Sequence, residues 1–490
     1  MTDDVARATG RSVPVPHVAH DRAATAKAGS LADTAEAKPI GSRLERLFVV
    51  LALTVQAGAF VSVPRLLMGV ENPREINGKL VDLGESNPLN FALLGVTGLI
   101  VVVLLWRHRG PALRTVRRNW IALIVMVLIV LSTIWSVDPD LTLRRSGAYA
   151  ISFLLAVYIA TRFSFTDIIR LIGYTTALAA AGSILFTLAM PSMGLMHDPD
   201  LEGNLRGVFT HKNGLARVMM VGILAHAYLA TFTRARAWPC FWAVVELALL
   251  VLARSVNGAV GAMIVMVSLS LYLVWRLHRP IAAMITAIVG AGLLAALVIA
   301  ASDPDAALGL VGKDVTLTGR TELWRAMMEY IGQRPLLGWG YSAFFQVDNP
   351  DALALWARLR WNPPHTHNGL LEVLLDLGAL GLLLIAAQIV QTVSVIVQSA
   401  RAKAWPEAWC FATFFIVCAA LNLAEPTIIR SQEITSILFN TMLFSCSLLR
   451  SAPVAAQRRQ SGTVSVLARA RPRLSSAASP AGSASARWPA

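Results

Sequence analysis

The sequence is short of charge and of cysteine, and each shortage excludes a class of protein. Charged residues make up 15% of the 490 residues, hydrophobic residues make up 56%, and the mean hydropathy is +0.59. A soluble globular chain carries about a quarter charged residues, so a string of water-soluble domains is excluded and a polytopic membrane protein is predicted. The cysteines form no Cys-x-x-Cys pair and lie in or beside apolar runs, which indicates neither a disulfide framework nor a zinc site. They are Cys240, Cys410, Cys418 and Cys446.

Apolar stretches of membrane-spanning length, about twenty residues each, occupy most of the chain. They predict an all-α polytopic membrane protein with about twelve transmembrane helices, nine in 46–300 and three in 367–450, around a long segment at 301–366. The ends of the chain, 1–45 and 451–490, lack an apolar core and are predicted to be disordered tails. The predicted spans lie near 46–63, 89–106, 120–137, 147–163, 168–189, 214–233, 238–254, 257–276, 281–300, 367–396, 405–424 and 432–449.

The loops carry unequal charge, and this inequality predicts the orientation. The chain has 43 Lys+Arg against 29 Asp+Glu, a net charge of +14. In a membrane protein such an excess is a topology signal rather than a nucleic-acid footprint, so no nucleic-acid partner is expected. One alternate set of loops is strongly basic, with five arginines from Arg107 to Arg118, and the other set mixes signs. The positive-inside rule therefore predicts cytoplasmic termini and a segment 301–366 outside the cytoplasm.

Two amphipathic helices are predicted within that outer segment. Thr321–Gln333 carries Leu323, Trp324, Met327, Met328 and Ile331 on one face, and Gly332 and Pro335 stop it. A second stretch, 352–361, has leucine and tryptophan at helical spacing. Apolar faces of this kind predict helices that lie along the bilayer surface, as short amphipathic helices of a large periplasmic loop. Interfacial anchoring is favoured over sugar stacking for any single tryptophan here.

Two predicted helix starts on the outer face resemble each other. Residues 210–214, Thr-His-Lys-Asn-Gly, open the sixth span, and residues 366–369, Thr-His-Asn-Gly, open the tenth. Thr and Asn are natural helix caps, so a structural role is as well supported for them as a functional one. A histidine in the first turn feels the positive end of the helix dipole, which favours the neutral imidazole that a general base needs. The same helix end suits a phosphate.

Arginines collect on the same predicted face, where the positive-inside rule keeps them rare. Arg254 lies in a turn with almost no loop, where its charge is costly unless it is paired. A phosphate-bearing substrate would satisfy several guanidinium groups, whereas snorkelling or internal ion pairs would explain each arginine singly. Glu372 and Asp376 lie one turn apart inside the tenth span, where Glu372 would orient His367 or steady a sugar hydroxyl. The arginines are Arg206, Arg254, Arg320 and Arg430, and the candidate carboxylate partners are Glu202, Glu246, Glu372 and Asp376.

Three segments resemble one known family. Residues 206–213, Arg-Gly-Val-Phe-Thr-His-Lys-Asn, resemble the corresponding stretch of exopolysaccharide polymerases of the ExoQ type. Residues 319–324, Gly-Arg-x-x-x-Trp, and 335–341, Pro-Leu-Leu-Gly-Trp-Gly-Tyr, are similar to the periplasmic loop of the O-antigen ligase/polymerase family, the WaaL and Wzy group. Residues 367–381, His-Asn followed by nine residues and Gly-x-x-Gly, are similar to that family's His-(Asn/Ser/Gln)-x9-Gly-x-x-Gly signature. The likeness covers roughly residues 200 to 390 in detail.

The resemblance implies a GT-C-like glycosyltransferase of the bacterial inner membrane, with its active site at the periplasmic face. Such enzymes transfer a glycan from an undecaprenyl-pyrophosphate carrier to an acceptor hydroxyl, and they use no metal or other cofactor. His367 would be the catalytic base, and only a mutant comparison separates it from the neighbouring His365. The implied substrate-binding residues are Arg206 and Arg254 on the departing pyrophosphate, Arg320 as a weaker third, and Asn368, His211, Lys212, Asn213 and Glu372.

Three functions stay open at this point. The stretch 206–213 favours a polymerase that joins exopolysaccharide repeat units with inversion, and a ligase that attaches O-antigen to the lipid A core shares the same chemistry. A flippase for lipid-linked oligosaccharides is a rival of another class, for which internal repeats and midplane helix breaks are expected, and no convincing repeat is present. The expected partners are the lipid-linked donor, the acceptor glycan or lipid A core, the bilayer, and a chain-length regulator with export machinery.

Overall fold

The described part of the chain is helical. A computed structural model describes residues 41–60, 88–197, 201–277, 280–281, 284 and 320–449. Its regular elements are helices, and one isolated β-bridge joins Leu195 to Leu205. The all-α prediction is therefore confirmed for these residues. The two predicted tails, most of the predicted span 281–300 and the first part of 301–366 lie outside the described residues.

The helices are labelled α1 to α15 in chain order. Local chemistry explains where several begin: Ser42 and Glu45 form a capping box at α1, and Asp138 and Ser164 cap α5 and α6. The helices are α1 (Arg43–Gln56), α2 (Pro88–Arg107), α3 (Arg109–Arg118), α4 (Trp120–Leu131), α5 (Pro139–Arg162), α6 (Phe165–Ala189), α7 (Pro191–Gly194), α8 (Lys212–Phe232), α9 (Ala237–Leu252), α10 (Val256–Leu277), α11 (Arg320–Gln333), α12 (Pro350–Leu359), α13 (Gly369–Arg401), α14 (Trp405–Asn422) and α15 (Ile434–Leu449).

Six of the described helices are long and apolar enough to cross a bilayer, namely α2, α6, α8, α10, α13 and α14. Helices α3 and α4 would supply a seventh span, but they meet at 90°. The basic stretch that the sequence predicts as a loop is therefore a helix at a right angle to its neighbour. Helices α9 and α15 are apolar but shorter, and α5 carries arginines near both ends. The chain is thus a multi-pass membrane protein, and the predicted total of twelve spans is not confirmed.

The main core of the bundle surrounds α8, which packs against α6, α9 and α10. In the apolar window of α8, 72% of the residues are buried, whereas only 22% are buried in α10. Helix α8 is therefore enclosed by protein, and α10 presents most of its apolar surface outward, as a lipid-facing helix does. Helices α5 and α15 close the other side, where Phe153 meets Phe444 edge to face at 5.5 Å between ring centroids.

Helix α13 is broken at Gly378, and a loop repairs the break. Gly378 has φ 63° and ψ −162°, which no helix allows. The backbone N–H groups of Trp339 and Gly340 donate to the carbonyls of Leu375 and Asp376, at 2.8 and 3.0 Å. In return, the two N–H groups after Gly378 donate to carbonyls of residues 335 and 336. Two of the motifs that define the resemblance are therefore partners in space.

A Cβ atom at either side of this junction would collide with the other. At Gly378 it would lie 2.3 Å from the carbonyl carbon of Leu336, and at Gly338 it would lie 2.5 Å from the carbonyl oxygen of Leu375. The stretch 379–401 after the break is about 34 Å long at 1.5 Å per residue, which suffices to cross a bilayer. Glu372 and Asp376, which the sequence places inside a span, therefore lie on the loop side of the break.

Helices α11 and α12 bury their apolar faces in the protein. Leu323, Met327 and Leu355 are at most 1% exposed and pack with Trp339 and Phe344 in a small core of their own. The two helices are where the sequence predicts them, but their expected position along the bilayer surface is wrong for the faces that pack here. An amphipathic pattern shows that one face is covered and does not say whether lipid or protein covers it.

Candidate functional site

The predicted site residues lie mainly at one end of the bundle, where α8 and α13 begin. The turn between α9 and α10 and the loop 423–433 between α14 and α15 meet at the same end. Hydrogen bonds and ion pairs connect these four segments without interruption, from Arg254 through Lys212 and Asn213 to Glu425 and on to the two histidines.

The two similar helix starts differ in register by one residue. In α8, His211 is itself the N-cap, and its Nδ1 accepts a hydrogen bond from the Asn213 N–H at 3.1 Å. In α13, Asn368 is the N-cap, and its Oδ1 accepts from two N–H groups of the first turn. His367 precedes this cap in a left-handed backbone conformation, with φ 54°. The expectation that His367 lies in the first helical turn is therefore wrong.

His367 is held in place by its neighbours in the loop. Its backbone N–H donates to Nδ1 of His365 at 3.2 Å, and the two imidazole centroids are 4.1 Å apart. The Trp361 ring lies 5.9 Å from that of His367. A left-handed conformation costs a non-glycine residue on the order of 1–3 kcal/mol and is typically kept at functional sites. Among the described residues, nothing hydrogen-bonds to Nδ1 of His367, which is buried.

Both histidines of the loop are neutral at pH 7. Burial lowers the pKa of His367 to about 4, with the charges of Arg320 and Arg430 acting in the same direction and Glu425 opposing them. Burial and the same two arginines also bring the pKa of His365 well below its usual range. The neutral imidazole expected from the sequence is thus present, but burial and nearby guanidinium groups cause it rather than a helix dipole.

The side chain of Glu425 links the start of α8 to the loop before α13, and it is not among the residues predicted from the sequence. Its Oε1 accepts from the Asn213 side-chain amide at 3.1 Å, and its Oε2 lies 3.7 Å from both Arg217 and His365. Arg217 also pairs with Glu433 at 3.0 Å. Asn213 and Glu425 are 212 residues apart in the chain, so no local spacing could reveal this network. The available signal was the presence of carboxylates beside an arginine in an otherwise apolar region.

A basic group lies beside the start of α8. Nζ of Lys212 donates to the backbone carbonyl of Arg254 at 3.1 Å, and Oγ of Ser255 donates to the Asn213 side chain at 2.9 Å. Arg254 occupies the predicted tight turn with φ 47°, and it is exposed. The charge of Arg254 therefore needs no buried partner. The reason to consider a phosphate there is that the turn lies beside the start of α8.

Arg206 belongs to the loop that precedes α8. Its Nε donates to the Met193 carbonyl at 2.8 Å. The neighbouring Leu205 N–H donates to the carbonyl of Leu252 at 3.1 Å, which holds this loop against the end of α9. Arg206 thus lies near the Arg254 turn, whereas the guanidinium groups whose charges act on the histidines come from other segments.

A buried carboxylate of α13 contacts the loop of residues 361–368, which carries His365 and His367 and is called the histidine loop. Oε2 of Glu372 accepts from the Thr366 N–H at 2.8 Å, and the Trp324 indole donates to the Thr366 carbonyl at 2.9 Å. Glu372 thus contacts the backbone one residue before His367, and its predicted role stays a prediction. Asp376 is 2% exposed and shares a small cavity with Glu372.

Two other carboxylates named from the sequence lie elsewhere. Glu246 pairs with His226 at 2.8 Å in the interior between α8 and α9, and both side chains are fully buried. Glu246 is therefore hydrogen-bonded to His226 inside the bundle, and it pairs with none of the predicted arginines. Glu202 is exposed in the loop before α8. No group of three or more His, Cys, Asp or Glu side chains within the described residues is placed to hold a metal ion.

Part of the chain is similar to known proteins. Residues 241–386 match the family described as O-antigen ligase, and the matched region includes Arg254, Arg320, His367, Asn368 and Glu372. The predicted resemblance is therefore confirmed as a similarity, since part of the chain is similar to the O-antigen ligase family. The exopolysaccharide production protein ExoQ of Rhizobium meliloti (strain 1021) is 30% identical to this chain over 270 residues, which cover 52% of it. The chain spans about 60% of the length of that relative.

Proposed function

We propose that this chain is a GT-C-like membrane glycosyltransferase that joins lipid-linked oligosaccharide repeat units into exopolysaccharide. The observation that carries the proposal is the buried, neutral imidazole of His367, whose Nδ1 accepts no hydrogen bond from the described residues. A general base needs a neutral imidazole with a nitrogen that can accept a proton. The similarity to ExoQ, an exopolysaccharide production protein, supports polymer synthesis over other glycan transfers.

In this reaction His367 removes the proton of an acceptor sugar hydroxyl while the hydroxyl oxygen attacks the anomeric carbon of the donor. The new glycosidic C–O bond forms opposite the bond to pyrophosphate, which breaks, so the configuration at that carbon inverts. The electron pair leaves with undecaprenyl pyrophosphate, and the proton passes from His367 to water. General base catalysis typically contributes on the order of 10²–10⁴-fold.

Guanidinium groups would stabilise the charge that develops on the departing pyrophosphate. We assign Arg320 and Arg430 to the phosphate nearest the reacting carbon, because their charges act on His367. Arg206 and Arg254 lie at the same end beside the start of α8 and are assigned to the outer part of the donor. This order reverses the sequence-based ranking, which placed Arg320 third.

The other predicted contacts receive positioning roles in this proposal. His211 and Asn368 cap their helices through their own side chains. Lys212 and Asn213 hold the α9–α10 turn and Glu425 against the start of α8. Their hydrogen-bonding groups are used within the protein, so their substitution is expected to act through the position of the histidine loop.

An apolar cavity of about 210 Å³ between α13, α14 and α15 supports a lipid-linked donor. Its wall begins at Leu370, in the first turn of α13, and includes Asn422, whose side chain lies against Gly369. It continues along the helices to Ile389 and Phe439. A prenyl chain whose pyrophosphate lies beside the histidine loop would find an apolar wall immediately next to it.

The proposed location is the periplasmic face of the bacterial inner membrane, with both termini in the cytoplasm. The support is the unequal charge of the two ends: α3 carries exposed arginines and no carboxylate, whereas the histidine end contains buried carboxylates among its arginines. Transfer of O-antigen to the lipid A core is the second candidate, because the family matched by 241–386 is described as O-antigen ligase.

The flippase alternative is less well supported. A broken helix is one of its expected features, and α13 is broken at Gly378. However, the backbone groups freed by the break are hydrogen-bonded to residues 335–340 of the protein itself. In transporters of this kind, the freed groups coordinate the cargo.

The decisive experiment follows purified protein in liposomes that contain lipid-linked repeat units, with and without lipid A core. Wild type is expected to yield longer glycans and free undecaprenyl pyrophosphate without the core, and His367→Ala is expected to yield neither. His197→Ala is the matched control, because His197 is exposed and, among the described residues, bonds only to the Ser192 carbonyl. Product only when the core is present would identify a ligase, and transbilayer movement of unchanged donor would identify a flippase.

His365 requires its own comparison. Its Nδ1 accepts the His367 N–H, a role that the side-chain oxygen of asparagine can also fill two residues before an N–H. His365→Asn is therefore expected to keep more activity than His365→Ala, whereas neither His367→Asn nor His367→Ala keeps any. Equal loss in both His365 variants, with a normal rate in His367→Ala, would assign the base to His365.

A further inference from the structure

Four tryptophans lie in the described part of the segment between α10 and α13, and one of them differs from the rest. The indole N–H groups of Trp324, Trp339 and Trp356 donate to the backbone carbonyls of Thr366, Tyr330 and Pro363, at 2.9 to 3.1 Å. These three side chains are therefore used as internal struts of the segment.

Trp361 makes no such bond. Among the described residues, no protein group accepts a hydrogen bond from its indole N–H, and the side chain is half-buried at the edge of the small core of α11 and α12. Its ring is 5.9 Å from the ring of His367, at an angle of 37° between the planes. Trp361 is thus the tryptophan of this segment that combines an unused donor with contact to the proposed base.

The chain holds Trp361 in this position firmly. Helix α12 ends at Leu359, and Arg360 follows in a left-handed conformation with φ 58°, which turns the chain back. Pro363 and Pro364 restrict the next residues, and the Trp356 indole fixes the carbonyl of Pro363 at 3.1 Å. A ring that is fixed before a ligand arrives loses little conformational entropy when the ligand binds.

We propose that Trp361 is the platform on which the acceptor sugar lies while His367 removes the proton of its hydroxyl. A pyranose ring presents a face of C–H groups and a rim of hydroxyls, which matches an indole with an apolar face and a donor at its edge. A sugar whose hydroxyl reaches His367 must lie within a few ångströms of the neighbouring indole. This inference rests on the proposed transferase function and adds a binding residue to it.

Membrane anchoring is the competing explanation for a tryptophan near a bilayer surface. A membrane anchor would be an exposed side chain. Trp106 of α2 and Trp120 of α4 are 71% and 56% exposed, and neither lies in this segment. Trp361 instead packs against the small protein core and His367. Its position therefore favours a ligand contact over a lipid contact.

The first test measures the acceptor KM at saturating donor for wild type, Trp361→Phe and Trp361→Ala. Removal of an aromatic contact of about 0.5–1.5 kcal/mol should raise KM roughly 2- to 12-fold in the alanine variant, with a smaller rise in the phenylalanine variant, which keeps a ring. The donor KM should not change. Trp324→Phe is the matched control, because it removes an indole that supports Thr366, and it should lower kcat with little effect on the acceptor KM. An unchanged acceptor KM in Trp361→Ala would overturn the proposal.

The second test separates this inference from the proposed function. The free, phosphate-free repeat-unit oligosaccharide of the host polysaccharide is titrated into detergent-solubilised protein, and binding is followed by ligand-observed NMR without any turnover. Weaker binding to Trp361→Ala, with normal binding to Trp324→Phe, would support the platform even if the wild type failed to elongate glycans. Equal binding by all three proteins would refute the platform whatever the transferase assay shows. Size-exclusion profiles identify a misfolded alanine variant, in which case Trp361→Phe decides.

Discussion

At the scale of single residues, the ionisation of His367 decides whether the proposed chemistry works at neutral pH. An unperturbed histidine has a pKa near 6.5, whereas burial brings the pKa of His367 to about 4. The charged and titratable groups that act on it are Arg320, Arg430, Glu425 and His365, of which the two arginines oppose protonation and Glu425 favours it. His367 therefore enters the reaction as a neutral base.

We predict that the acidic limb of the pH profile of kcat/KM has a pKa near 4. Between about pH 4 and 6.5, the folded protein binds fewer protons than the unfolded chain. Acidification through that interval therefore also lowers the free energy of unfolding, and His367 causes no such loss above about pH 6.5. Initial rates in liposomes from pH 3.5 to 8, with thermal unfolding at each pH, measure both effects. An acidic limb near 6.5 would mean that the base is a solvated group.

The variant Arg320→Gln tests whether nearby positive charge helps to keep the pKa of His367 low. It removes a charge that lowers the pKa of His367, so the acidic limb should move towards 6.5. Arg334→Gln is the matched control, because Arg334 is exposed and its guanidinium lies 4.3 Å from the centre of the Trp339 ring instead. The control should leave the limb in place, and a shift of equal size in both variants would assign the effect to net charge.

The sequence singled out His367 as the candidate base but did not reveal why its imidazole is neutral. The pattern His-Asn before an apolar run indicated a capped helix start, and Asn368 is that cap. His211 is itself the N-cap of its helix, whereas His367 precedes the N-cap by one residue. Local pattern did not resolve that difference, because both residues lie in nearly the same sequence.

At the scale of secondary-structure elements, the broken helix α13 follows the histidine loop directly. Its stretch after the break is long enough to cross a bilayer. The segment 335–340 supplies the hydrogen bonds that the break at Gly378 removes. This pairing ties the segment between α10 and α13 to the helix that begins with the site. Changes at Gly378 should therefore reach the histidine loop although they lie more than two turns from it.

We predict that Gly378→Ala strongly destabilises the protein and abolishes activity. Gly378 has φ 63° and ψ −162°, a region that essentially only glycine populates and that costs other residues on the order of 1–3 kcal/mol. The alanine Cβ would also lie within 2.5 Å of backbone atoms of Leu336 and Leu337, so the paired backbone would have to shift. Thermal aggregation in detergent and glycan elongation measure the two consequences. Gly147→Ala in α5 is the control: a Cβ there meets nothing within 4 Å, so about 1 kcal/mol of stabilisation is expected. Full stability of Gly378→Ala would contradict the pairing.

The helices themselves were largely predictable, and their partners were not. Apolar runs and caps located α8, α10 and α13 to within a few residues, because those signals are local. The apolar faces of α11 and α12 were also visible, but their burial against Trp339 and Phe344 depends on a loop that periodicity does not describe. The basic stretch of α3 was predicted as a loop, since arginines next to a span usually indicate one.

At the scale of the whole molecule, distant segments converge on one end. Glu425 lies 3.7 Å from both Arg217 of α8 and His365 before α13, and each of the three comes from a different part of the chain. The positive-inside rule led to the correct grouping of His211 with His367 at one end, because charge in loops follows topology. It said nothing of Glu425, since the rule counts basic residues and ignores carboxylates.

The native cysteines make the orientation of that end measurable. Cys410, Cys418 and Cys446 are buried, so they should not react in the folded protein, whereas Cys240 is exposed in the first turn of α9. The Arg254 turn follows the other end of α9, so Cys240 lies away from the site. Leu353 of α12 is 49% exposed beside the small core and provides a position on the site's side.

We predict that a membrane-impermeant maleimide, added to cells with a permeabilised outer membrane, labels Leu353→Cys in a Cys240→Ala background. Native Cys240 in the unaltered protein should react only after the inner membrane is opened, because the proposed orientation puts the two positions on opposite sides of the bilayer. Labelling at both positions before opening would show that the reagent crosses the membrane, and a buffer-quenched repeat would resolve it. Labelling of Cys240 alone would place the histidines in the cytoplasm, where a donor already carried to the outer leaflet could not reach them, and glycan transfer at the periplasmic face would be refuted.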